Sequence, residues 1–333
     1  MTERLHDVFD IDDADVRVIT EAYGLGTSTD CARCGAGLVN SNYKVVTENG
    51  TYLLRIYPED RTAPEVAFEL AVLSYLDQAE FFGPTPVVAV SGETVGTLRG
   101  RLFSVLTYVE GSTVGQDELT ADLADQVGGK YAHFRKAVHG FRPAGERENA
   151  DHHAVSELLR PLLADVAEVA PHEAALISDA WAHVEDRFRD VPGDRLEVVH
   201  GDLFYENIIV DDGRLITFID YDDAYLGLPL LDLALVVMEF STHSDNHIDG
   251  DLAATLLRAY AREGGDVGIA PEIFHDALIF LCCKFMAYTL PLTLERGEGI
   301  AENEYFIRLR HLRNETVRTN LLKQLSGVLT LET

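Results

Sequence analysis

The stretch HGDLFYENIIVDDGRLITFID, residues 200–220, opens with residues that make poor strands and closes with residues that make good ones. His200, Gly201, Asp202 and Asn207 precede the apolar run IIV (208–210); the turn composition DDGR (211–214) follows, then LITFID (215–220). Two apolar runs flanking an Asp-Gly turn read as a β-hairpin. With the turn centred between Asp212 and Gly213, Asn207 at the start of one strand lies near Asp220 at the end of the other. Both carry oxygens of the kind a hard divalent cation such as Mg²⁺ takes as ligands. Asp202 sits on the loop entering that same edge, where a carboxylate can accept a proton from an incoming hydroxyl.

Composition narrows what such a site can serve. At 333 residues the chain can hold one large domain or two ordinary ones, each with its own core. An excess of 56 Asp+Glu over 27 Lys+Arg gives a formal charge of -29. That charge repels phosphate backbones and anionic lipid, so neither nucleic acid nor a membrane surface is an expected partner, whereas a small cationic or zwitterionic substrate is. The acids are scattered, and 5 of the 27 basic residues are Lys, the composition of a salt-adapted cytosolic surface. Four Cys make no disulfide framework, and MTERLHDVFD has neither a basic n-region nor an apolar h-region, so the expectation is a cytoplasmic, reduced protein. The most apolar run, ALIFLCCKFMAYTLPLTL (277–294), carries Lys284 and Pro291 and reads as a buried helix rather than a membrane span.

Along the chain, residues 28–57 read as a small antiparallel sheet: STDCAR, the Gly-bearing CGAGLVN, SNYKVVT, the turn ENG, and TYLLRIY. A helix follows at 62–79, then PTPVVAV, the turn SGETVG, and RLFSVLTYV (101–109). From about 115 to 190 apolar residues recur at helical spacing, and helices return after the hairpin. A β-rich first third and a helical remainder predict an α+β protein of two lobes, 1–110 and 111–333, with a crossover near 108–114.

The spacing H-x-D-L-x-x-x-N, with an Asp thirteen residues on, is the layout of a protein-kinase-like catalytic loop and metal loop. The sequence resembles the aminoglycoside phosphotransferase and choline kinase superfamily, small-molecule kinases built on the protein-kinase fold. HGDLFYEN, FIDYDDA (218–224) and LDLALVV (231–237) carry the resemblance, which spans roughly residues 20 to 240. It implies Asp202 as the catalytic residue, Asn207 and Asp220 as Mg²⁺ ligands, and ATP as phosphoryl donor. His200 and Asp232 read as residues that hold the loop, and Asp222 or Asp223 as an aid to a second metal or to a substrate amine. Gly201 stands where protein kinases have Arg, and the short gap from Asp220 to Asp232 leaves no room for an activation loop, so control by loop phosphorylation is not expected. The APE at 63–65 lies upstream of HGD and is chance.

The resemblance also implies a cation over the nucleotide phosphates on the strand TYLLRIY, and Arg55 occupies that position. Its partner must come from the following helix. At about 100° per residue, Val66, Leu70, Leu73 and Leu76 share one arc; Glu69 falls within it and Glu65 at its margin. A carboxylate on an apolar face needs a cation, so Glu69 is the expected partner. Gly35 and Gly37 in CGAGLVNSN read as a phosphate-covering turn with backbone N–H groups around Ala36 to Asn40. The adenine is expected against LTYVEG, through the backbone of Thr107, Tyr108 and Val109.

Other features read as structural. CARC (31–34) has no second C-x-x-C, and an odd separation on a strand points the thiols to opposite faces. HSDNHIDGD (243–251) lacks Ca²⁺-loop spacing and reads as a solvated acidic connection. AYGL, GLVNSNYKV and LLRIY look most like the homoserine kinase type II branch, which implies an amine-bearing alcohol acceptor, with L-homoserine foremost. Aminoglycoside, choline, hydroxylysine and protein Ser/Thr acceptors stay open, as does a catalytically silent nucleotide-binding regulator.

Overall fold

The computed structural model describes residues 9–34, 39–147, 152–189 and 192–329. It separates into two compact units: one runs to Glu110 and takes in Pro143–Arg147, and the other comprises Gly111–Arg142 and the chain from Glu148 onward.

The first unit begins with α1 (Asp13–Tyr23), which the sequence reading did not anticipate. Its start is set by a capping box: Asp12 Oδ1 accepts from the N–H groups of Ala14 and Asp15 at 2.8 and 2.9 Å, and the Asp15 carboxylate accepts from Asp12 N–H at 3.1 Å. Five antiparallel strands follow in the order β1-β2-β3-β5-β4: β1 (Ser28–Arg33), β2 (Ser41–Thr47), β3 (Gly50–Ile56), β4 (Val95–Leu98) and β5 (Arg101–Thr107). Val16, Ile19 and Tyr23 of α1 bury against Tyr43, Val45, Leu54, Ile56, Phe103 and Val105 of the sheet. Between β3 and β4 lies α2 (Ala63–Gln78), which buries Val66, Leu70, Leu73 and Leu76.

One expectation in this unit is corrected, the turn SGETVG (91–96). PTPVVAV (84–90) is not a strand, because Pro84 and Pro86 have no N–H to give; it touches β5 at Val87 N–H to Val105 C=O (2.8 Å) and Thr107 N–H to Thr85 C=O (2.9 Å). The strand is instead Val95–Leu98, beginning inside the expected turn SGETVG, and its own turn is made by Arg99 and Gly100 at φ 48° and 85°. In CGAGLVN, Gly35 to Leu38 lie outside the described residues, and the flanking Cys34, Val39 and Asn40 are not strand.

The second unit is mostly helical: α3 (Ala121–Val138), α4 (His152–Val169), α5 (Pro171–Val184), α6 (Pro229–Ser241), α7 (Gly250–Arg262), α8 (Pro271–Glu295), α9 (Glu304–Leu312) and α10 (Glu315–Leu325). Gly128 lets α3 and α7 pack backbone to backbone, since a Cβ there would lie 2.1 Å from Leu256 C=O. By length and composition α8 could cross a membrane, with a mean hydropathy of 1.7 over an 18-residue window, but 67% of that window is buried inside the protein. It contains Lys284 and Pro291 and serves as a core helix.

Two short strand pairs frame the opening stretch. β6 (Glu197–Val199) pairs with β9 (Tyr225–Gly227), and β7 (Ile208–Asp211) with β8 (Arg214–Phe218). Val199 lies opposite Tyr225 and Ile208 opposite Phe218. Loops 200–207 and 219–224 therefore start and finish at cross-strand partners and must run side by side.

Candidate active site

Those two loops gather the acidic and amide side chains. A bulge between Ile209 and Val210 shifts the hairpin register. Asn207 consequently lies opposite Ile219, whose N–H donates to Asn207 C=O at 2.9 Å, one residue from Asp220. Asp220 itself is left-handed (φ 66°, ψ 62°) and leads into a short 3-10 turn, Tyr221–Asp223.

Asn207 spends both its amide hydrogens on Asp202, one on the main-chain carbonyl (2.7 Å) and one on Oδ2 (3.1 Å). Two acceptors on one side assign the nitrogen to that side, so Asn207 Oδ1 faces away from Asp202. Asp202 Oδ1 has no partner among the described residues. Loss of water pushes the Asp202 carboxyl well above the usual carboxylate range, the charges of Asp223, Asp220 and Asp222 push it further, and the Asn207 hydrogen bond opposes them.

The loop is held from below. Asp232 on α6 accepts from the main-chain N–H groups of His200 (3.1 Å) and Gly201 (2.9 Å) and from Tyr131 Oη (2.8 Å). His200 is fully buried with Nε2 3.0 Å from Ile219 C=O, so Nε2 carries the proton. Burial lowers its pKa and keeps it neutral. His200 thus ties loop 200–207 to loop 219–224 by hydrogen bonding.

The first unit holds a second cluster. Arg55 Nη1 lies 2.7 Å from Glu69 Oε1, with both side chains buried. Glu65 is occupied elsewhere, closing the α2 capping box with Thr62 (2.8 Å). Three further residues complete the network: Asn42 Oδ1 accepts from Arg55 Nε (3.2 Å), Tyr57 Oη donates to Glu69 Oε2 (2.8 Å), and Ser104 Oγ lies 2.9 Å from Tyr57 Oη. Asn42 and Ser104 are the cross-strand partners of Arg55 on β2 and β5. The sequence reading missed them because register across three strands cannot be read from any one of them.

Of the other expected nucleotide residues, Gly35 and Gly37 lie outside the described residues. Thr107 N–H and Tyr108 N–H are already used, on Thr85 C=O (2.9 Å) and Thr51 C=O (3.2 Å). Among the described residues no acceptor is found for Val109 N–H. Lys44 reaches over the Tyr108 ring, 4.2 Å from its centroid, to Glu110 at 3.1 Å.

Among the described residues no three His, Cys, Asp or Glu side chains converge as a preformed metal cluster. The donor set still fits Mg²⁺, which takes one or two protein oxygens together with phosphates and water. The crowding of Asp202, Asp220, Asp222 and Asp223 supplies the negative charge that a divalent cation offsets. Cys34 lies beyond the end of β1, so the opposite-face argument does not apply to it. Burial raises the pKa of both free thiols, Cys31 and Cys34, the reverse of a reactive cysteine.

Residues 30–267 match the model of the phosphotransferase enzyme family, and the chain belongs to that family. It is a small-molecule phosphotransferase with a protein-kinase-like α+β fold. It is similar to the homoserine kinase of Brucella anthropi, 28% identical over 254 residues covering 75% of this chain and 76% of that protein. The homoserine kinase of Brucella abortus (strain S19) is 26% identical over 314 residues, 91% of this chain and 92% of its own. In fold it resembles the amicoumacin kinase hAmiN in complex with AMP-PNP, Ca²⁺ and Ami, with a TM-score of 0.68, 15% identity, and coverage of 96% of this chain and 95% of that one.

Proposed function

We propose that this phosphotransferase transfers the γ-phosphoryl group of ATP to a hydroxyl of an amine-bearing metabolite, with L-homoserine the leading acceptor. The observation that carries the reading is Asp202, fixed through Oδ2 by Asn207, with Oδ1 left to accept and three more carboxylates around it. Relatives named homoserine kinase over 91% of the chain support the acceptor, and an amine suits the acidic surroundings. The complex of the amicoumacin kinase with AMP-PNP and Ca²⁺ supports a nucleoside triphosphate and a divalent cation.

Phosphoryl transfer asks for positioning and fixed charge more than for covalent chemistry. Asp202 orients the acceptor hydroxyl and takes its proton as the oxygen attacks phosphorus. Arg55, fixed by Glu69 and Asn42, offers a permanent cation to the α/β-phosphates. The Thr107 to Val109 backbone, with Val109 N–H as donor, meets the adenine. Asn207 Oδ1 and Asp220 would hold Mg²⁺, which when bound draws charge from the β/γ-phosphates.

Replacing Asp202 by Asn should lower turnover by about 10²–10⁴-fold while Mg-ATP binding, measured by calorimetry, stays within about threefold of wild type. Undiminished turnover would remove Asp202 from the chemistry. Nucleotide binding without acceptor-dependent ATP consumption, across homoserine, choline, hydroxylysine and aminoglycosides, would favour a silent regulator.

A further inference from the structure

Asn42, Arg55 and Ser104 stand directly opposite one another on β2, β3 and β5, so their side chains form one row on one face of the sheet. Tyr57 lies two residues past Arg55 and points to that same face. Its N–H carries the ladder on to Leu102 C=O at 3.0 Å. Glu69 meets the row from α2.

An ionised carboxylate only accepts, so the hydrogens in this cluster have one arrangement. Arg55 Nη1 donates to Glu69 Oε1 at 2.7 Å, and Tyr57 Oη donates to Glu69 Oε2 at 2.8 Å. With its own hydrogen spent, Tyr57 Oη accepts from Ser104 Oγ at 2.9 Å. Burial, and next the Glu69 charge, hold the Tyr57 phenol well above its usual pKa, so the chain from Ser104 through Tyr57 to Glu69 keeps its direction. Tyr57 is 1% exposed and Ser104 0%, so bulk water does not compete for these bonds. Each Glu69 oxygen is thus gripped by a different residue, which fixes the rotation of the carboxylate and the side on which it holds Arg55.

Asn42 adds a condition. Its Oδ1 accepts from Arg55 Nε at 3.2 Å while Glu69 takes Nη1. A guanidinium is planar, and bonds at two of its nitrogens set the plane. An ammonium carries all its donors on one nitrogen and has none at the Nε position to offer Asn42. We propose that Tyr57 and Ser104 are positioning residues for the nucleotide phosphates, acting through Glu69 on Arg55, and that Asn42 makes the site specific for a guanidinium. This rests on the reading of Arg55 as the phosphate cation given above.

The test measures binding to the full chain by calorimetry, with Mg-ATP and, in competition with it, adenosine, which has the base and sugar and none of the phosphates. Arg55→Met should weaken Mg-ATP binding by about tenfold to 100-fold, and Arg55→Lys by about tenfold although the charge is kept. Tyr57→Phe, which keeps the ring, and Asn42→Ala should each weaken it by about threefold to tenfold and leave adenosine within about twofold. In the Arg55→Lys background Asn42→Ala should cost nothing further, whereas Tyr57→Phe should still cost its full amount, because Glu69 serves either cation. Ser104→Ala and Asn42→Ser carry the two halves of the test where thermal unfolding shows that Tyr57→Phe or Asn42→Ala does not fold. Equal losses for Mg-ATP and adenosine, or an equal Asn42→Ala loss in both backgrounds, would make the network structural and overturn the inference. Unchanged Mg-ATP binding in Tyr57→Phe, Asn42→Ala or Arg55→Lys, with Arg55→Met weakened, would overturn it and leave Arg55 as the phosphate cation. Unchanged binding in Arg55→Met would overturn both.

Discussion

Gly201 is the residue on which the loop geometry turns. Its φ of 80° is open to glycine and costly for other residues, and a Cβ there would lie 2.5 Å from Asp223 C=O and 2.9 Å from the Tyr225 ring. Gly201→Ala must therefore push loop 219–224 away from loop 200–207. We expect a stability loss of about 1–3 kcal/mol by urea unfolding and a fall in turnover larger than that loss explains; unchanged turnover would show that the two loops need not touch. The sequence placed His200, Asp202 and Asn207 by one another because their contacts are local or lie across one hairpin, whereas the tie from Asp232 to the loop came only from the resemblance. Asn42, Tyr57 and Ser104 were silent, since they meet Arg55 and Glu69 only through sheet register and the docking of α2.

At the scale of elements, strong local signals were legible and weak ones were not. The apolar pattern of β2, β3 and β5 and the capped start of α2 are written in consecutive residues. α1 is an 11-residue helix rich in charge whose stability comes from docking, and β4 is four residues long, so neither announces itself. The packing of α9 against the 243–249 connection makes a further expectation. His311 of α9 stacks on His247 at 4.3 Å; His247 is paired with Asp245, and His243 with Asp249. Burial, then His247, lower the His311 pKa against the pull of Asp245, and burial lowers that of His200. In both cases the unfolded chain takes up a proton first. The stability they confer is complete above about pH 6.5 and declines as pH falls from there toward the folded-state values, by at most about 1.4 kcal/mol per pH unit for each group. Urea unfolding from pH 7.5 to 5.5 should show this decline, and His311→Asn should make it shallower. Superimposable slopes for the two proteins would discard the His311 contribution.

Over the whole molecule, electrostatic balance is one-sided. With 27 Lys+Arg against 56 Asp+Glu, even complete pairing leaves 29 acids without a cation (56 − 27). Two opposing effects of salt follow. Screening weakens exposed pairs such as Arg262–Asp125, and it hardly touches the buried pairs Arg55–Glu69 and Arg308–Glu239. It also relieves the repulsion among the surplus carboxylates, which acts on the folded chain more than on the expanded one. The surplus is larger than the set of exposed pairs, so relief should prevail. As KCl rises from 0.1 to 1 M and the Debye length falls from about 10 to about 3 Å, the protein should gain about 2 kcal/mol, or roughly 3 °C in the midpoint of thermal unfolding at this chain length. An equal rise with sucrose, an uncharged excluded solute, would assign the gain to exclusion from the surface. A flat or falling midpoint in KCl would show that the acids are spaced widely enough not to repel one another.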